Sequence, residues 1–241
     1  DQRGTEQRQQ RYRRRLPLSA NITPVALNGL PALCCLHETN LDKAGPSSGA
    51  AAGPTGMLCP VTHVEEGAMS HFDPLIDSAA ARLGRILEHL GQRVSTAESC
   101  TGGGIAEAIT RVAGSSQWFE TGFVTYANSS KARWLGVEPA TLEAHGAVSE
   151  PVVLAMAAGA KAAAEADMAV AVSGIAGPDG GSAEKPVGTV WFGWALSDGR
   201  VVSECKRFQG GRREVRAQTV LHALERLVSE AEKAAANRSS V

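Results

Sequence analysis

The organisation of this chain follows from the stretch Arg93-Val94-Ser95-Thr96-Ala97-Glu98-Ser99-Cys100-Thr101-Gly102-Gly103-Gly104. Its first five residues have the pattern of a short strand, and a helical pattern over residues 105–112 follows the glycines directly. Such a junction presents unpaired backbone N–H groups and the positive end of a helix dipole to a ligand. A nucleophile at Ser99 or Cys100 would be well placed there, although a tight turn with ordinary capping residues fits the same pattern.

Composition excludes several classes of function. The chain has 241 residues, of which 43% are hydrophobic and 20% charged, and its formal net charge is −1. A near-neutral chain offers no electrostatic argument for nucleic acid as a partner. No run of about 18 apolar residues occurs, so we expect no membrane span. Five irregularly spaced cysteines indicate neither a disulfide framework nor a zinc site, which favours a reduced, cytoplasmic setting without a metal.

Residues 1–70 differ in composition from the rest of the chain. Residues 1–15 include six arginines, and stretches rich in Pro, Gly, Ser and Ala follow. We predict that this segment is a disordered N-terminal extension, because it can bury little apolar surface. A transit peptide and a nucleic-acid-binding arm are alternative interpretations of the arginine-rich start. Met57 and Met69 shortly precede the first clear helix pattern, so an over-extended gene model is another hypothesis, which N-terminal sequencing would test.

From residue 71 onwards, helix and strand patterns alternate. Helix patterns cover residues 75–90, 105–112, 131–136, 151–166 and 213–233. Strand patterns cover residues 93–97, 118–126, 167–175, 188–197 and 200–209, and the last two form a hairpin. This alternation predicts the α/β class, with a single three-layer α/β/α domain and a mixed sheet over residues 71–235. Residues 236–241 would form a tail.

A second glycine-rich stretch, residues 173–181, follows the most apolar strand pattern. Ligands of α/β sheets bind beyond the carboxyl ends of the strands, so both glycine-rich loops are expected to line one cleft. Neither loop has the Gly-x-Gly-x-x-Gly pattern of dinucleotide-binding folds. Polar side chains are also concentrated in residues 125–131, 145–150 and 184–189, which makes these segments candidates for the same cleft.

Together these motifs resemble the CinA C-terminal domain family over roughly residues 73–230. The resemblance rests on residues 97–103, 122–128 with Lys131, 145–150, 173–178 and 185–190. Residues 1–70 do not resemble the N-terminal domain of full-length members. The resemblance therefore implies a stand-alone amidase that hydrolyses nicotinamide mononucleotide to nicotinate mononucleotide and ammonia, a salvage step of pyridine nucleotide metabolism. It implies neither a metal nor an organic cofactor.

The resemblance assigns the nucleophile to Ser99, for which a helix N-cap is the alternative role. Cys100 is a rival nucleophile, because a thiolate at a helix N-terminus has a lowered pKa. No Ser-His-Asp set is evident, and His145 is a weaker candidate base than Tyr126 and Lys131. A desolvated Lys131 would accept the Ser99 proton, and Tyr126 would relay that proton or orient the amide.

Further residues are expected to bind the substrate or support the site. They are Glu98, Thr101, Gly102, Gly103, Asn128, Ser173, Gly174 and Arg212. We expect the backbone amides around Thr101, Gly102 and Gly103 to stabilise the oxyanion. Glu98 would hold Lys131 or Tyr126, or would be a solvated loop acid. The substrate phosphate calls for an arginine or helix N-terminal amides, and Arg212 matches the family's arginine, with Arg213 as the alternative.

Other functions remain open at this point. The chain could be a non-catalytic, CinA-like nucleotide-binding module linked to competence or damage responses, or an amidase of another small amide. Ammonia release with a panel of amides distinguishes these hypotheses. Truncation of the arginine-rich segment tests whether it makes the chain a nucleic-acid binder. Trp118, Phe119 and Trp134 would either form a contact between copies in a homo-oligomer or pack in the core.

Overall fold

A computed structural model describes residues 71–238. The predicted N-terminal extension and the end of the predicted tail lie outside the described residues. The strands are β1 Val94–Glu98, β2 Phe119–Val124, β3 Met168–Gly174, β4 Thr189–Ala195 and β5 Val201–Arg207. The helices are α1 Asp73–Leu90, α2 Gly104–Thr110, α3 Asn128–Leu135, α4 Pro139–His145, α5 Glu150–Ala163 and α6 Arg212–Arg238, with a 3₁₀ turn at Ser115–Gln117.

The five strands form one mixed sheet in the order β2-β1-β3-β4-β5. Strands β2, β1 and β3 are parallel, whereas β4 and β5 pair as an antiparallel hairpin next to β3. The chain leaves β1 towards β2 and later returns to β3 on the other side of β1. The carboxyl end of β1 is therefore the switch point of the sheet, where open α/β folds bind their ligands.

Hydrophobic cores on both faces of the sheet confirm the predicted three layers. One core lies between the sheet and α1, α2 and α6, and includes Leu83, Trp118 and Leu224. The other lies between the sheet and α3 and α5, and includes Val152 and Met156. All five residues of β1 are buried, as expected for a central strand covered on both faces.

The first helix shows how the sequence pattern produces this packing. Ile76, Leu83 and Leu87 recur at helical spacing and are buried against the sheet. Gly91 ends the helix at φ 60°, a conformation that glycine adopts without strain. Gly84 lies against Trp118. A Cβ at this position would come within 2.8 Å of the indole Cζ2 atom, so the close packing requires glycine.

The three aromatic residues considered for a contact between copies have different environments. Trp118 is fully buried, and Phe119 is half-buried against the same core. Trp134 is 56% exposed, and the Arg133 guanidinium lies 5.0 Å from the centre of its ring. Packing in the core therefore explains Trp118 and Phe119, and the homo-oligomer stays a prediction.

Helix α4 was not predicted from the sequence. It begins at Pro139, whose fixed φ suits the first turn of a helix, and it has no fully buried residue. A short helix without a buried face leaves no apolar periodicity to recognise. Among residues 71–238, no helix is both long and apolar enough to cross a membrane.

Candidate active site

Ser99 lies at the carboxyl end of β1, in the middle of the parallel part of the sheet. Its backbone N–H donates a hydrogen bond to the Val172 carbonyl oxygen of β3 at 3.1 Å. On the other side, the Thr125 N–H donates to the Glu98 carbonyl oxygen at 2.9 Å. The Ser99 loop, residues 99–103, is thus placed between the segments that follow β2 and β3.

Lys131 brings an amino group to Ser99 from α3. Its Nζ atom donates hydrogen bonds to Ser99 Oγ at 3.2 Å, to the Thr125 carbonyl oxygen at 2.9 Å and to the Tyr126 carbonyl oxygen at 3.3 Å. The residue is only 1% exposed. The structure therefore brings together Ser99 and Lys131, two of the three predicted catalytic side chains.

Burial affects the pKa of Lys131. Loss of hydration lowers the pKa of the ammonium group, whereas charge on Cys100 would act in the opposite direction. Burial also raises the pKa of the Cys100 thiol to about 12, so this thiol is uncharged near pH 7 and opposes the shift little. At a given pH, a larger fraction of Lys131 is consequently neutral than of an ordinary surface lysine.

Cys100 belongs to the hydrophobic core rather than to the open face of the site. Its side chain is buried among core residues on the α1, α2 and α6 side of the sheet. With a raised pKa the thiol lacks the reactive thiolate form that cysteine catalysis uses. These properties argue against Cys100 as the nucleophile.

Glu98 supports the Ser99 loop from within the protein. It is fully buried, and its carboxylate accepts hydrogen bonds from Thr101 Oγ1 at 2.6 Å and the Gly103 N–H at 3.1 Å. It also accepts from the N–H groups of Ile105 at 3.0 Å and Ala106 at 2.8 Å. The expectation that Glu98 holds Lys131 or Tyr126 is wrong, because the free amides of α2 attract its carboxylate.

We expect Glu98→Ala to lower the free energy of unfolding by about 3–5 kcal/mol, because it leaves two buried and two partly buried donors without an acceptor. Glu98→Gln keeps one acceptor oxygen and is expected to cost less. Glu107→Ala is the control, since this exposed acid of α2 pairs with Arg111 at the surface, and its loss should cost under about 1 kcal/mol. Urea denaturation gives all three values, and equal losses for Glu98→Ala and Glu107→Ala would contradict the buried role.

The loop amides are occupied in a way that the sequence did not reveal. The Gly102 N–H donates to the Ser99 carbonyl oxygen at 3.1 Å, and the Gly103 N–H donates to Glu98. Gly102 and Gly103 have φ values of 59° and 97°, which explains why glycine occupies both positions. Two of the three amides predicted as oxyanion donors, those of Gly102 and Gly103, therefore bond within the loop itself, while the oxyanion role of the Thr101 amide stays a prediction. Thr101 is also turned inward, with its hydroxyl bonded to Glu98.

Tyr126 presents its side chain to solvent and its backbone to Lys131. The side chain is 62% exposed, and its hydroxyl accepts a hydrogen bond from Arg212 Nη2 at 3.3 Å. Within the described part of the chain, this hydroxyl makes no hydrogen bond to Ser99 or Lys131. The arrangement suits contact with a substrate better than the predicted proton relay.

Two other predicted residues lie at the carboxyl end of β3, which pairs with β1, the strand that leads to Ser99. Ser173 is 1% exposed, and its hydroxyl donates to the Ala147 carbonyl oxygen at 2.8 Å, which fixes the segment between α4 and α5. A Cβ on Gly174 would lie 2.7 Å from Val190 Cγ2, so this glycine permits close packing of β3 on β4. Both residues have structural roles in the folded chain, and their contact with substrate stays a prediction.

The remaining predicted residues lie nearer the surface. Arg212 begins α6, and its Nη1 donates to the Gly177 carbonyl oxygen at 3.0 Å. Asn128 begins α3 and is exposed. His145 ends α4 with an exposed side chain, and its carbonyl oxygen accepts a hydrogen bond from Lys185 Nζ at 3.0 Å. Of these residues, Arg212 is the one linked directly to Tyr126.

Sequence reasoning missed Arg216, which contacts the Ser99 loop. Its Nη2 donates to the Thr101 carbonyl oxygen at 2.6 Å. Arg216 follows Arg212 by four residues, which places both arginines on one face of α6. This spacing is the feature of the sequence that could have identified Arg216 as a site residue. In residues 71–238, no group of three or more His, Cys, Asp or Glu side chains is arranged to hold a metal ion.

The chain matches a known protein family over most of the described residues. The model of the CinA C-terminal domain family matches residues 76–231. The chain belongs to the CinA C-terminal domain family. Strand β1, the Ser99 loop and Lys131 all lie within the matched CinA domain.

Relatives of the CinA domain include proteins with named activities. The chain is 59% identical over 158 residues to the nicotinamide-nucleotide amidohydrolase PncC of Pseudomonas putida, covering 65% of this chain and 97% of that protein. It is 57% identical over 146 residues to the protein of the same name from Escherichia coli K12, covering 61% and 88%. The structure of the competence/damage inducible protein CihA from Agrobacterium tumefaciens is similar, with a TM-score of 0.65 and 49% identity over 67% of this chain and 98% of that one.

Proposed function

We propose that this chain is an amidohydrolase that deamidates nicotinamide mononucleotide to nicotinate mononucleotide and ammonia. The observation that carries the proposal is the 3.2 Å hydrogen bond between buried Lys131 Nζ and Ser99 Oγ. The names of the two bacterial amidohydrolases, at 57–59% identity, support the choice of substrate. This reaction would serve the salvage of pyridine nucleotides.

The contacts of Lys131 explain how it would activate Ser99. A charged ammonium has three N–H donors, and Nζ has three acceptors around it. After loss of one proton, two N–H bonds can remain on the Thr125 and Tyr126 carbonyl oxygens. The lone pair of Nζ then points to Ser99 Oγ and accepts its proton. The two carbonyl groups thus orient the base, in the way that a third group orients the base of other nucleophilic enzymes.

The proposed reaction has two stages. Ser99 Oγ attacks the carboxamide carbon while its proton moves to Lys131, and the carbonyl electron pair moves onto oxygen. The carbonyl double bond then re-forms while the amide C–N bond breaks, and Lys131 returns the proton to the nitrogen. Ammonia departs, and the acyl group of the substrate stays on Ser99 as an ester. A water molecule, deprotonated by Lys131, attacks this ester and releases the carboxylic acid with regeneration of the Ser99 hydroxyl.

The test is ammonia release from nicotinamide mononucleotide by the full chain in the presence of EDTA. We expect nicotinate mononucleotide and ammonia in equal amounts. Nicotinamide, glutamine and asparagine are tested as alternative substrates in separate, parallel reactions. Faster turnover of one of these would identify the chain as an amidase of another small amide, and binding of the mononucleotide without turnover would indicate a binding module.

Arg212 is the proposed ligand of the substrate phosphate. Its guanidinium lies beside the Tyr126 hydroxyl at the exposed side of the site, and planar guanidinium groups suit phosphate oxygens. We expect Arg212→Met to raise KM for the mononucleotide about tenfold to hundredfold, since a charge-assisted contact of this kind contributes about 1.5–3 kcal/mol. Hydrolysis of free nicotinamide, which lacks a phosphate, should change little.

Steady-state kinetics with both amides checks the expectation for Arg212. Arg85→Met, at an exposed arginine of α1, is the matched control for loss of one positive charge. An Arg212→Met variant that affects both amides equally would rule out a phosphate ligand. The comparison would then be repeated with Arg213→Met, the alternative arginine.

A further inference from the structure

The Thr101 carbonyl group is held by a side chain from a distant part of the chain. Arg216 Nη2 of α6 donates to this oxygen at 2.6 Å, and the Gly104 N–H donates to it at 3.3 Å. Thr101 lies two residues after Ser99 and is fully buried. Arg216 therefore contacts the middle of the Ser99 loop, at the peptide group that joins Thr101 to Gly102.

The setting of Arg216 is unusual for an arginine that only stabilises the fold. Its Nε atom is buried and has no hydrogen-bond partner among the described residues. A buried unpaired donor lowers stability by about 1–3 kcal/mol. Local arrangements that cost stability are concentrated at functional sites, where the geometry serves another purpose.

The same face of α6 reaches two parts of the candidate site. Arg212 contacts the Gly177 carbonyl oxygen and the Tyr126 hydroxyl at the exposed side. Arg216, one turn later, contacts the Ser99 loop. The helix therefore connects the proposed phosphate ligand with the loop that carries the nucleophile.

We propose that Arg216 is a positioning residue that sets the Thr101 peptide and thereby the direction of Ser99 Oγ towards Lys131. This inference rests on the proposed role of Ser99 as the nucleophile. A displacement of about 1 Å in a reacting group lowers the rate about 10²-fold. We therefore expect Arg216→Met to lower kcat for nicotinamide mononucleotide about tenfold to hundredfold, with KM within about twofold of the original value.

Two variants separate positioning from general stability. Arg216→Lys keeps one charged donor and should recover part of the lost kcat. Arg226→Met is the matched control on α6, because Arg226 donates to Glu230 at 2.9 Å and lies over the Trp194 ring, away from the Ser99 loop. It should lower stability without lowering kcat at a temperature where the protein remains folded. A larger KM with unchanged kcat in Arg216→Met would overturn the proposal, as would equal kcat in the two methionine variants.

Amide hydrogen exchange tests the positioning independently of any substrate. In Arg216→Met we expect the peptide covering residues 99–106 to exchange at least about tenfold faster, while Arg226→Met leaves its exchange unchanged. If the unmodified protein releases no ammonia but Arg216→Met still exchanges faster, the proposed function is contradicted and the contact of Arg216 with the loop is not. Unchanged exchange would overturn the role of Arg216. If Arg216→Met does not fold, Arg216→Lys serves for the same two comparisons, with smaller effects in the same direction.

Discussion

Ser99→Ala is expected to lower kcat for ammonia release by about 10⁴-fold or more, because the reaction loses its nucleophile and with it the covalent intermediate. The fold should persist. The Ser99 backbone N–H still donates to Val172, and Lys131 Nζ keeps its two carbonyl acceptors. Binding of nicotinamide mononucleotide, measured by calorimetry, should therefore change little while turnover disappears.

The neighbouring thiol provides the matched control for this experiment. Cys100→Ala removes the rival nucleophile next to Ser99, and its effect should be limited to a small loss of stability from the core. Retention of more than a tenth of the original kcat in Ser99→Ala would exclude Ser99. If Cys100→Ala instead abolished turnover, the thiol would take over the role of nucleophile.

Lys131→Met should lower kcat by about 10²- to 10⁴-fold, the range found when a general base is removed. Methionine has an unbranched side chain of similar length and fills the buried site without a base. Lys131→Arg should also fail, because a guanidinium keeps its proton at every practical pH. Turnover of Lys131→Met within twofold of the original protein would remove the lysine from the mechanism.

The pH dependence provides a second and independent sign of the same role. A general base works when deprotonated, so kcat/KM should rise with pH through the lowered pKa of Lys131 and then level off. The rise should occur below the ordinary lysine value of 10.5. The residual activity of Lys131→Met should lack this rise, and an identical pH profile in both proteins would contradict the assignment.

Stability should follow the same titration. Because the pKa of Lys131 is lowered in the folded protein, the unfolded chain binds more protons between the folded and unfolded pKa values. The contribution of Lys131 to the free energy of unfolding therefore increases as pH rises through this window. Lys131→Met lacks that contribution, and urea denaturation at several pH values measures the difference between the two proteins.

Much of the architecture could be predicted from local patterns. The apolar spacing of α1, the continuous apolar run of β3 and the turn before β5 each indicated their element correctly. These patterns reflect the burial of one face or of a whole strand, and burial selects residue types at regular intervals. Helix α4 escaped prediction because no residue in it is fully buried.

The sequence by itself determined the layered α/β class, the order along the chain of the five strands and of the helices other than α4, and the motif at Ser99, because these depend on neighbouring residues. Only the tertiary structure decided the partners of the polar groups. Ser99 and Lys131 are 32 residues apart, and Thr101 and Arg216 are 115 apart. Glu98 became a support of the loop, and the Gly102 and Gly103 amides became its internal donors. A buried polar group is hydrogen-bonded to whichever partner the folded chain places next to it. Because that partner can lie anywhere along the chain, the pairing produces no periodic pattern in the sequence.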